Sequence, residues 1–334
     1  MKLSIITINY NNAEGLRKTL ASVAAQTYAN IEHIIVDGGS TDNSVEVIRE
    51  YEQSLTSSLS PLASRLKWLS EPDKGIYNAM NKGIEIALGR MGVTDDHTSI
   101  PLASRLSPDS LSDYIQILNS GDILAAADVT ERMFEAMGNG LWAINKENSA
   151  AETTASNLSP LTSNLQNCPA IFYGNMIKEY PDGRRTKDTC GGGDYTPESF
   201  LYFYKGTLNH DCAYIRRDLF EKYGLYNEQM KICSDWEWYV RAIVLGGEKT
   251  VYTNIDVTVF DMTGISESDG KNRALILQER RTYLESILPA AVLKDYDNYS
   301  FPILQYQRLK KYHLWGIVHF MERVLFKLDK WFKK

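Results

Sequence analysis

Cysteine is scarce in this chain. Its 334 residues include four, Cys168, Cys190, Cys212 and Cys233, and these are far apart in the sequence. They form no C-x-x-C pair, which is the spacing typical of zinc sites and redox motifs, and they make a poor disulfide framework. We therefore expect free thiols in a reducing compartment.

Long apolar runs are also lacking. No segment reaches the ~18 apolar residues that a membrane-spanning helix needs. The first residues, MKLSIITINYNN, contain an apolar run too short for a signal peptide and no small-residue cleavage site. We expect a cytoplasmic protein, one that can attach peripherally to the inner face of the membrane for the reason given next.

An excess of positive charge is absent from the chain as a whole, but not from its C-terminal end. The net charge of −6 argues against general binding of nucleic acid. Residues 305–334 carry eight Lys or Arg against two acids, a net charge of +6, which leaves −12 on the rest. Apolar residues recur there at helical spacing from Leu314 to Trp331. This basic amphipathic pattern predicts contact with a membrane surface through 308–334, and a helix packed on the rest of the chain is the alternative.

The N-terminal half alternates between strand and helix patterns. Leu3–Ile8 and Ile31–Val36 are apolar and β-branched, and Leu16–Gln26 and Val45–Tyr51 have helical spacing. This order predicts an α/β fold with a parallel sheet and crossover helices. Ligands of such sheets bind beyond the carboxyl ends of the strands, so the loops that follow the two strands are candidate binding loops.

A short repeat interrupts the pattern. PLASRL occurs at 61–66 and again at 101–106, and a looser copy, SPLTSNL, occupies 159–165. The irregular spacing excludes a solenoid. Surface loops tolerate insertions, so we predict inserted loops without a catalytic role, and a repeated docking peptide is the alternative. The predicted inserts are the Ser-rich stretches 54–66, 91–112 and 139–168.

Three further stretches combine a strand or helix boundary with carboxylates. YIQILNSGDIL, 114–124, reads as a buried strand that ends in a turn presenting Asp122. EPDKGIYNAMNKG, 71–83, begins extended and offers Asp73 as a helix cap. SDWEW, 234–238, places Asp235 at a helix start, with aromatic side chains expected beneath it. Each stretch can be an ordinary turn or cap, and each can equally hold a ligand or transfer a proton.

Together these stretches resemble the family 2 glycosyltransferases, especially their bacterial polysaccharide-assembly branch. The resemblance also includes SIITINYNN at 4–12, VDGGSTD at 36–42 and NHDCAYIRRDLFEKYGLYNE at 209–228. It implies a GT-A fold, which is a Rossmann-like, mostly parallel central sheet flanked by helices. It further implies a catalytic domain over 1–265, followed by a C-terminal helical extension over 266–334.

The resemblance assigns roles to individual residues. Asp122 is expected to bind a divalent cation, Mg²⁺ or Mn²⁺, because hard cations prefer oxygen ligands and bridge phosphates. Asp235 is expected to be the general base, and His210 and Asp211 are expected on the acceptor side. The residues expected to bind the nucleotide are Thr7, Asn9, Tyr10, Asp37 and Asp73.

The implied reaction is an inverting transfer of a sugar from a nucleotide-diphosphate sugar, UDP by family habit, to an acceptor hydroxyl. The acceptor would be a saccharide or a lipid-linked sugar in cell-surface polysaccharide or glycoconjugate assembly. Gly121 and Ser234 stand where the family has acids, which supports a catalytically weak or inactive relative as an alternative. A nucleotidyltransferase would need an early basic Gly-rich loop, which 9–15 does not offer. The FDMTGIS segment at 260–266 resembles the family's flexible loop.

Overall fold

A computed structural model describes most of the chain. Of the sequence predictions, the repeat at 101–106, its looser copy at 159–165, the insert at 139–168 and the loop at 260–266 lie wholly or mostly outside the described residues. The described residues are 1–94, 96–101, 111–138, 168–190, 198–262 and 271–332.

A mixed β-sheet forms the centre of the described structure. The strands of the described residues are β1 (Leu3–Asn9), β2 (Ile31–Asp37), β3 (Leu66–Ser70), β4 (Met91–Val93), β5 (Ser99–Pro101), β6 (Tyr114–Ile117), β7 (Ile123–Leu124), β8 (Ile171–Glu179), β9 (Arg185–Asp188), β10 (Ala213–Arg216) and β11 (Thr250–Asp261). The strand order in the sheet is β3-β2-β1-β6-β10-β8-β11-β7, and β9 pairs with β8, while β4 and β5 form a separate hairpin.

The four strands at one end of the sheet, β3, β2, β1 and β6, are parallel. Every residue of β1 and β2 is buried, as expected for strands covered by helices on both faces. Beyond β6 the sheet is antiparallel, because β10 pairs antiparallel with both β6 and β8, and β8 and β11 form a further parallel pair. The parallel pairings are the longer ones, so the predicted mostly parallel α/β sheet is confirmed.

Helices flank this sheet and continue past it. A glycine, Gly75, precedes α3, and Asp73 accepts a hydrogen bond from its backbone N–H instead of capping the helix as the sequence predicted. Glycine at this point lets the chain turn sharply between Asp73 and the helix. The helices are α1 (Ala13–Ala24), α2 (Ser44–Ser57), α3 (Ile76–Ala87), α4 (Val129–Gly138), α5 (Phe200–Lys205), α6 (Asp218–Tyr223), α7 (Ser234–Tyr239), α8 (Lys271–Ile287), α9 (Ala290–Lys311) and α10 (Trp315–Phe332).

The first predicted insert, 54–66, is more ordered than a surface loop. Helix α2 runs into it as far as Ser57, and a short 3-10 helix occupies Ala63–Arg65. Two of its apolar side chains, Leu55 and Leu62, are buried in the core. Burial of these side chains stabilises the local turns, and a Ser-rich composition gave no sign of it.

The described part of the second predicted insert, 91–112, begins with the β4–β5 hairpin. The His97 ring stacks on Trp68 at a centroid distance of 3.5 Å. Ser99 donates its N–H and its hydroxyl to the Glu71 carboxylate, at 2.9 and 2.7 Å. The prediction of a loop is therefore wrong for 91–101, because specific contacts with the end of β3 hold this segment.

The predicted C-terminal extension is helical. Leu284 of α8 and Leu293 of α9 are buried, whereas α10 exposes large apolar side chains along most of its length. In the described ranges no helix combines the length and the apolar composition needed to cross a bilayer. Helix α8 lies against the start of α7, where Glu279 accepts the backbone N–H groups of Lys231, Ile232 and Cys233.

Candidate active site

Asp37 is the last residue of β2, and its side chain bonds to the ends of the neighbouring strands β1 and β3. Its Oδ1 accepts hydrogen bonds from the Asn9 side chain at 2.8 Å and the Ser40 hydroxyl at 2.5 Å. Its Oδ2 accepts from the Ser40 N–H at 2.9 Å and the Ser70 hydroxyl at 2.7 Å. The carboxylate is fully buried, and these four donors match its four lone-pair sites. Asp37 therefore organises the loop that the sequence assigned to the nucleotide.

The other predicted nucleotide residues differ in accessibility. Tyr10 is 64% exposed beyond the end of β1. Thr7 lies inside the strand, fully buried, and its hydroxyl is 3.0 Å from Nε2 of His33. Burial lowers the pKa of His33 to about 3, so this ring is neutral. The structure thus brings Asn9, Tyr10 and Asp37 to the sheet edge and leaves Thr7 below it.

Asp73 reaches this edge from the turn after β3. A Cβ atom placed on Gly38 would lie 2.4 Å from Oδ2 of Asp73 and 3.3 Å from the Tyr10 ring. The close approach of these two side chains to the backbone explains the glycine at position 38. Asp73 and Tyr10 therefore face each other across the loop that follows β2.

The acidic turn follows β6, next to β1, as the sequence predicted. Gly121 has a φ of +110°, a conformation that favours glycine over the acid expected there by resemblance. Asp122 is 4% exposed, and its Oδ1 accepts the N–H of Asp261 at 3.0 Å. Burial, followed by the nearby charge of Asp211, raises the pKa of Asp122 well above its ordinary value.

His210 and Asp235 form a pair on the far side of this turn. Nδ1 of His210 lies 3.3 Å from Oδ2 of Asp235, and the Tyr77 hydroxyl donates to Oδ1 at 3.1 Å. Asp235 belongs to the first turn of α7, where Trp236 and Trp238 are fully buried beneath it, as expected. The pair is partly accessible, with side chains 17% and 15% exposed.

The two members of this pair shift each other's pKa. Burial opposes a charge on either group, yet the hydrogen bond and charge of Asp235 raise the pKa of His210 above its ordinary value. The same contact lowers the pKa of Asp235, against the effect of burial. The contact therefore favours the charged form of each group, against the effect of burial.

Asn119 connects the pair to the acidic turn. Its side-chain nitrogen lies 3.2 Å from Nε2 of His210, and among the described atoms its Oδ1 has no partner. The two amide orientations are equivalent in shape, and turning the amide over gives a protonated Nε2 an acceptor. Contacts therefore run from the turn that carries Asp122, through His210, to Asp235.

Asp211 points into the sheet instead of toward this surface. Its Oδ2 accepts the Thr258 hydroxyl at 3.0 Å, the residue is 2% exposed, and burial raises its pKa. Among the described residues, no three His, Cys, Asp or Glu side chains are arranged to hold a metal. Mg²⁺ is commonly held by one or two carboxylates together with substrate phosphates and waters. The buried carboxylate of Asp122 fits that limited role, because a cation would offset the repulsion from the nearby charge of Asp211.

Three contact residues were not singled out by sequence. They are Tyr77, Asn119 and Asp261, which lie within the stretches 71–83, 114–124 and 260–266. Nothing in the local sequence showed that their side chains or backbone contact Asp235, His210 and Asp122. Such contacts depend on long-range pairing of elements, which residue patterns within one stretch do not encode.

Comparisons with known proteins find glycosyltransferases that are similar to this chain. Residues 4–101 match the model of Glycosyl transferase family 2. A PGL/p-HBAD biosynthesis glycosyltransferase of Mycobacterium bovis is 24% identical over 261 residues, which are 78% of this chain and 77% of that protein. An uncharacterised glycosyltransferase of Mycobacterium tuberculosis is 34% identical over 136 residues, 40% of this chain and 39% of that one.

The solved structures that the chain matches are more distant in sequence. S. aureus TarS 1-349 in complex with UDP has 14% identity and a TM-score of 0.49, over 78% of this chain and 60% of that one. The mannosyltransferase PcManGT of Pyrobaculum calidifontis, in complex with GDP-Man and Mn²⁺, has 15% identity and a TM-score of 0.45, over 78% and 56%. The chain thus spans less than two thirds of the length of these crystallised proteins.

The match of residues 4–101 covers the strands that deliver Asn9 and Asp37, and the curated relatives align far beyond it. The resemblance to the family 2 glycosyltransferases that the sequence motifs carry is thus supported by the match of residues 4–101 and by curated glycosyltransferases similar to most of the chain.

Proposed function

We propose that this protein transfers a sugar, with inversion, from a nucleotide-diphosphate sugar to an acceptor hydroxyl in the assembly of a cell-surface polysaccharide or glycoconjugate. One observation carries the proposal: Asn119 links the turn of Asp122 to His210, and His210 contacts Asp235. The residue expected near the diphosphate and the residue expected to take the proton are therefore connected by two contacts. A site that joins a leaving-group region to a base suits group transfer.

The nucleotide would bind at the ends of β1, β2 and β3. Tyr10 offers an exposed ring for a base to stack on, and Asp73 offers a carboxylate beside it. Asp37 and Asn9 support the loop from beneath, and Asp37 would contact the nucleotide only by giving up one of its four donors. UDP is the proposed nucleotide, with GDP and dTDP as the outcomes to exclude.

Asp235 would act as the general base. Its carboxylate accepts hydrogen bonds from the Tyr77 hydroxyl, from His210 and from the Trp236 N–H, which leaves one of its four lone-pair directions for an acceptor hydroxyl. As that proton moves to Asp235, the hydroxyl oxygen bonds to the anomeric carbon and the bond to the diphosphate breaks. A positioned base of this kind contributes about 10²–10⁴-fold to the rate.

Asp122 would hold a divalent cation, Mg²⁺ or Mn²⁺, together with the diphosphate. Its carboxylate is buried, and only Oδ1 is engaged by the Asp261 N–H among the contacts that the described atoms make. When bound, the cation offsets the negative charge that develops on the leaving nucleoside diphosphate.

A membrane surface is the proposed location of the acceptor. Helix α10 exposes the apolar side chains Ile317, Phe320 and Leu325, and Arg323 and Lys327 lie among them. Because 305–334 has a net charge of +6 against −12 elsewhere, anionic lipid is the partner with complementary charge. A lipid-linked sugar at that surface would be available to the site.

The test is a binding and hydrolysis panel of UDP-, GDP- and dTDP-sugars on the purified full chain, with and without Mn²⁺. Asp122→Ala is expected to lose metal-dependent donor binding, and Asp235→Asn is expected to retain binding and lose about 10²–10⁴-fold in turnover. Asp128→Ala is the matched control for Asp122, because Asp128 is a half-exposed acid on the following helix boundary.

The outcomes separate the alternatives. Binding of one donor without turnover by the wild-type chain would support the inactive relative to which Gly121 and Ser234 pointed. Absence of binding by every donor, with metal present, would overturn the proposed function.

A further inference from the structure

We propose that Glu279 and Arg280, two adjacent residues of α8, are positioning residues that hold the His210–Asp235 pair in its working geometry. The inference deepens the proposed function and rests on it for the role of that pair. Neither residue lies in the segments that carry the family resemblance, which end near residue 240.

Glu279 binds the backbone that leads into α7. Its carboxylate accepts the N–H groups of Lys231 at 2.6 Å, Ile232 at 3.1 Å and Cys233 at 3.0 Å. The first N–H groups of a helix and the turn before it lack partners within the helix, and a capping side chain normally supplies one. Cys233 occupies the capping position of α7 and makes no such bond. Glu279 therefore anchors the turn that immediately precedes Asp235.

Arg280 binds the segment that leads to His210. Its guanidinium donates to the Gly206 carbonyl at 3.2 Å and lies 5.0 Å from the Trp236 ring centroid. Gly206 ends α5 four residues before His210, and Trp236 follows Asp235 directly. Tyr283, one turn further along α8, packs edge-on against Trp236 at 5.8 Å. Helix α8 therefore binds both the segment that leads to His210 and the segment that carries Asp235.

The distance between His210 and Asp235 depends on these contacts of α8. His210 and Asp235 are 25 residues apart in sequence, and their contact of 3.3 Å is already long for a charged hydrogen bond. Displacement of a catalytic group by about 1 Å can cost roughly 10²-fold in rate. Loss of the hydrogen bonds from Glu279 to 231–233, or from Arg280 to Gly206, would thus let His210 and Asp235 move apart. The loop around Asp37 would stay unchanged.

The test compares Glu279→Gln with Glu285→Gln, its matched control. Both changes replace a glutamate of α8 by its uncharged isostere, and Glu285 is an exposed partner of Arg281 that touches neither segment. For Glu279→Gln we expect the transfer kcat to fall roughly 10- to 100-fold, while the donor KM and the nucleotide Kd stay within about twofold. Arg280→Lys and Arg281→Lys form the second matched pair, with the same expectation for Arg280.

A second readout does not depend on turnover. The pKa of the His210 imidazole can be measured by NMR. Burial lowers this pKa, whereas the hydrogen bond and charge of Asp235 and the charges of Asp211 and Asp122 raise it. If Glu279→Gln moves Asp235 away, the pKa of His210 will fall, because the hydrogen bond and the charge that raise it most are weakened. Glu285→Gln is expected to leave it unchanged.

The outcomes decide the matter. If Glu279→Gln and Glu285→Gln give the same kcat and the same His210 pKa, the proposal is wrong. If Glu279→Gln lowers the melting temperature alone, α8 contributes only packing, which also overturns it. If the wild-type chain turns over no donor, the proposed function fails, and the His210 titration still decides whether Glu279 positions the pair.

Discussion

Burial and nearby negative charge have opposite effects on the pKa of His210. Burial disfavours an imidazolium, but Asp235 hydrogen-bonds to it, Asp211 and Asp122 add negative charge, and Asn119 faces its other nitrogen. The balance raises the pKa of His210 and lowers the pKa of Asp235 from its ordinary value of 3.8. Linkage turns these opposite shifts into a dependence of stability on pH.

The sign of that dependence follows from the two shifts. The raised pKa of His210 gives a stabilisation that is fully present below its ordinary value of 6.5 and lost as the pH rises through the folded-state pKa. The lowered pKa of Asp235 gives one that is present above 3.8 and lost as the pH falls through the folded-state value. We therefore expect His210→Gln to destabilise the protein more at about pH 6 than at about pH 9 in urea unfolding. An equal loss at both values would show that the ring contributes no charge.

Asp37 gives a second prediction at this scale. Replacement by alanine leaves the Asn9 amide, the Ser40 N–H and the Ser70 hydroxyl without their acceptor in a buried place. Each unsatisfied buried group costs about 1–3 kcal/mol, in part offset by relaxation, so we expect a loss of roughly 2–4 kcal/mol of unfolding free energy. Glu46→Ala, an exposed acid on α2, is the control and should change it by less than ~0.5 kcal/mol. A similar loss in both variants would contradict an organising role for Asp37.

Residue types at strand ends were readable from sequence, but their partners were not. The polar break after an apolar strand identified Asp37 and Asp122 as lying at the sheet edge, where the structure places them. The same reading placed Thr7 with the nucleotide, although its hydroxyl pairs with His33 inside the sheet. The periodicity of a strand predicts the face of the sheet on which a side chain lies. It does not predict whether a residue of a neighbouring strand, such as His33, forms a hydrogen bond with that side chain.

At the scale of elements, hydrophobic spacing predicted β1, β2, β6 and the first two helices, whereas composition did not predict the structure of the inserted segments. β1 and β2 agree with the predicted ranges to within one residue. The segment 91–101 became a hairpin because Trp68 and Glu71, some twenty to thirty residues earlier, bind it. Composition reflects only the local preferences of a segment, whereas this hairpin is stabilised by contacts with residues that are distant in sequence.

The turn after β6 depends on one glycine, which gives the prediction at this scale. Gly121 has a φ of +110°, and a Cβ there would meet nothing closer than 3.6 Å, so the cost of a side chain is backbone strain instead of a clash. Gly121→Ala should lower the unfolding free energy by roughly 1–3 kcal/mol. Gly138→Ala is the control, since Gly138 ends α4 with open space around it and an ordinary φ.

The comparison is made by urea unfolding of both variants beside the wild type. If Gly121→Ala were as stable as Gly138→Ala, the turn would tolerate a side chain, and the missing first acid would reflect function alone. A strained turn would instead explain why this chain presents its carboxylate at Asp122 only.

At the scale of the whole molecule, positive charge and exposed apolar side chains are concentrated together in the C-terminal segment. Residues 305–334 have a net charge of +6, and α10 exposes Phe320 at 67%, Leu325 at 60% and Trp331 at 71%. The rest of the chain, with a charge of −12, would be repelled by an anionic surface. Adsorption through α10 therefore fixes an orientation as well as an affinity.

This gives the last prediction. The full chain should sediment with vesicles that contain phosphatidylserine and stay in solution with vesicles of phosphatidylcholine alone, and added salt should release it. Arg323→Gln combined with Lys327→Gln removes two exposed basic side chains and should cost about 2 kcal/mol, or roughly 30-fold in partitioning. Lys222→Gln with Lys249→Gln removes the same charge from the surface elsewhere and should change little. Equal losses in both pairs would reduce the effect to net charge. If the wild-type chain ignored anionic vesicles yet sedimented as a dimer, the exposed face of α10 would be an interface between two copies, and the acceptor would not be sought at a membrane.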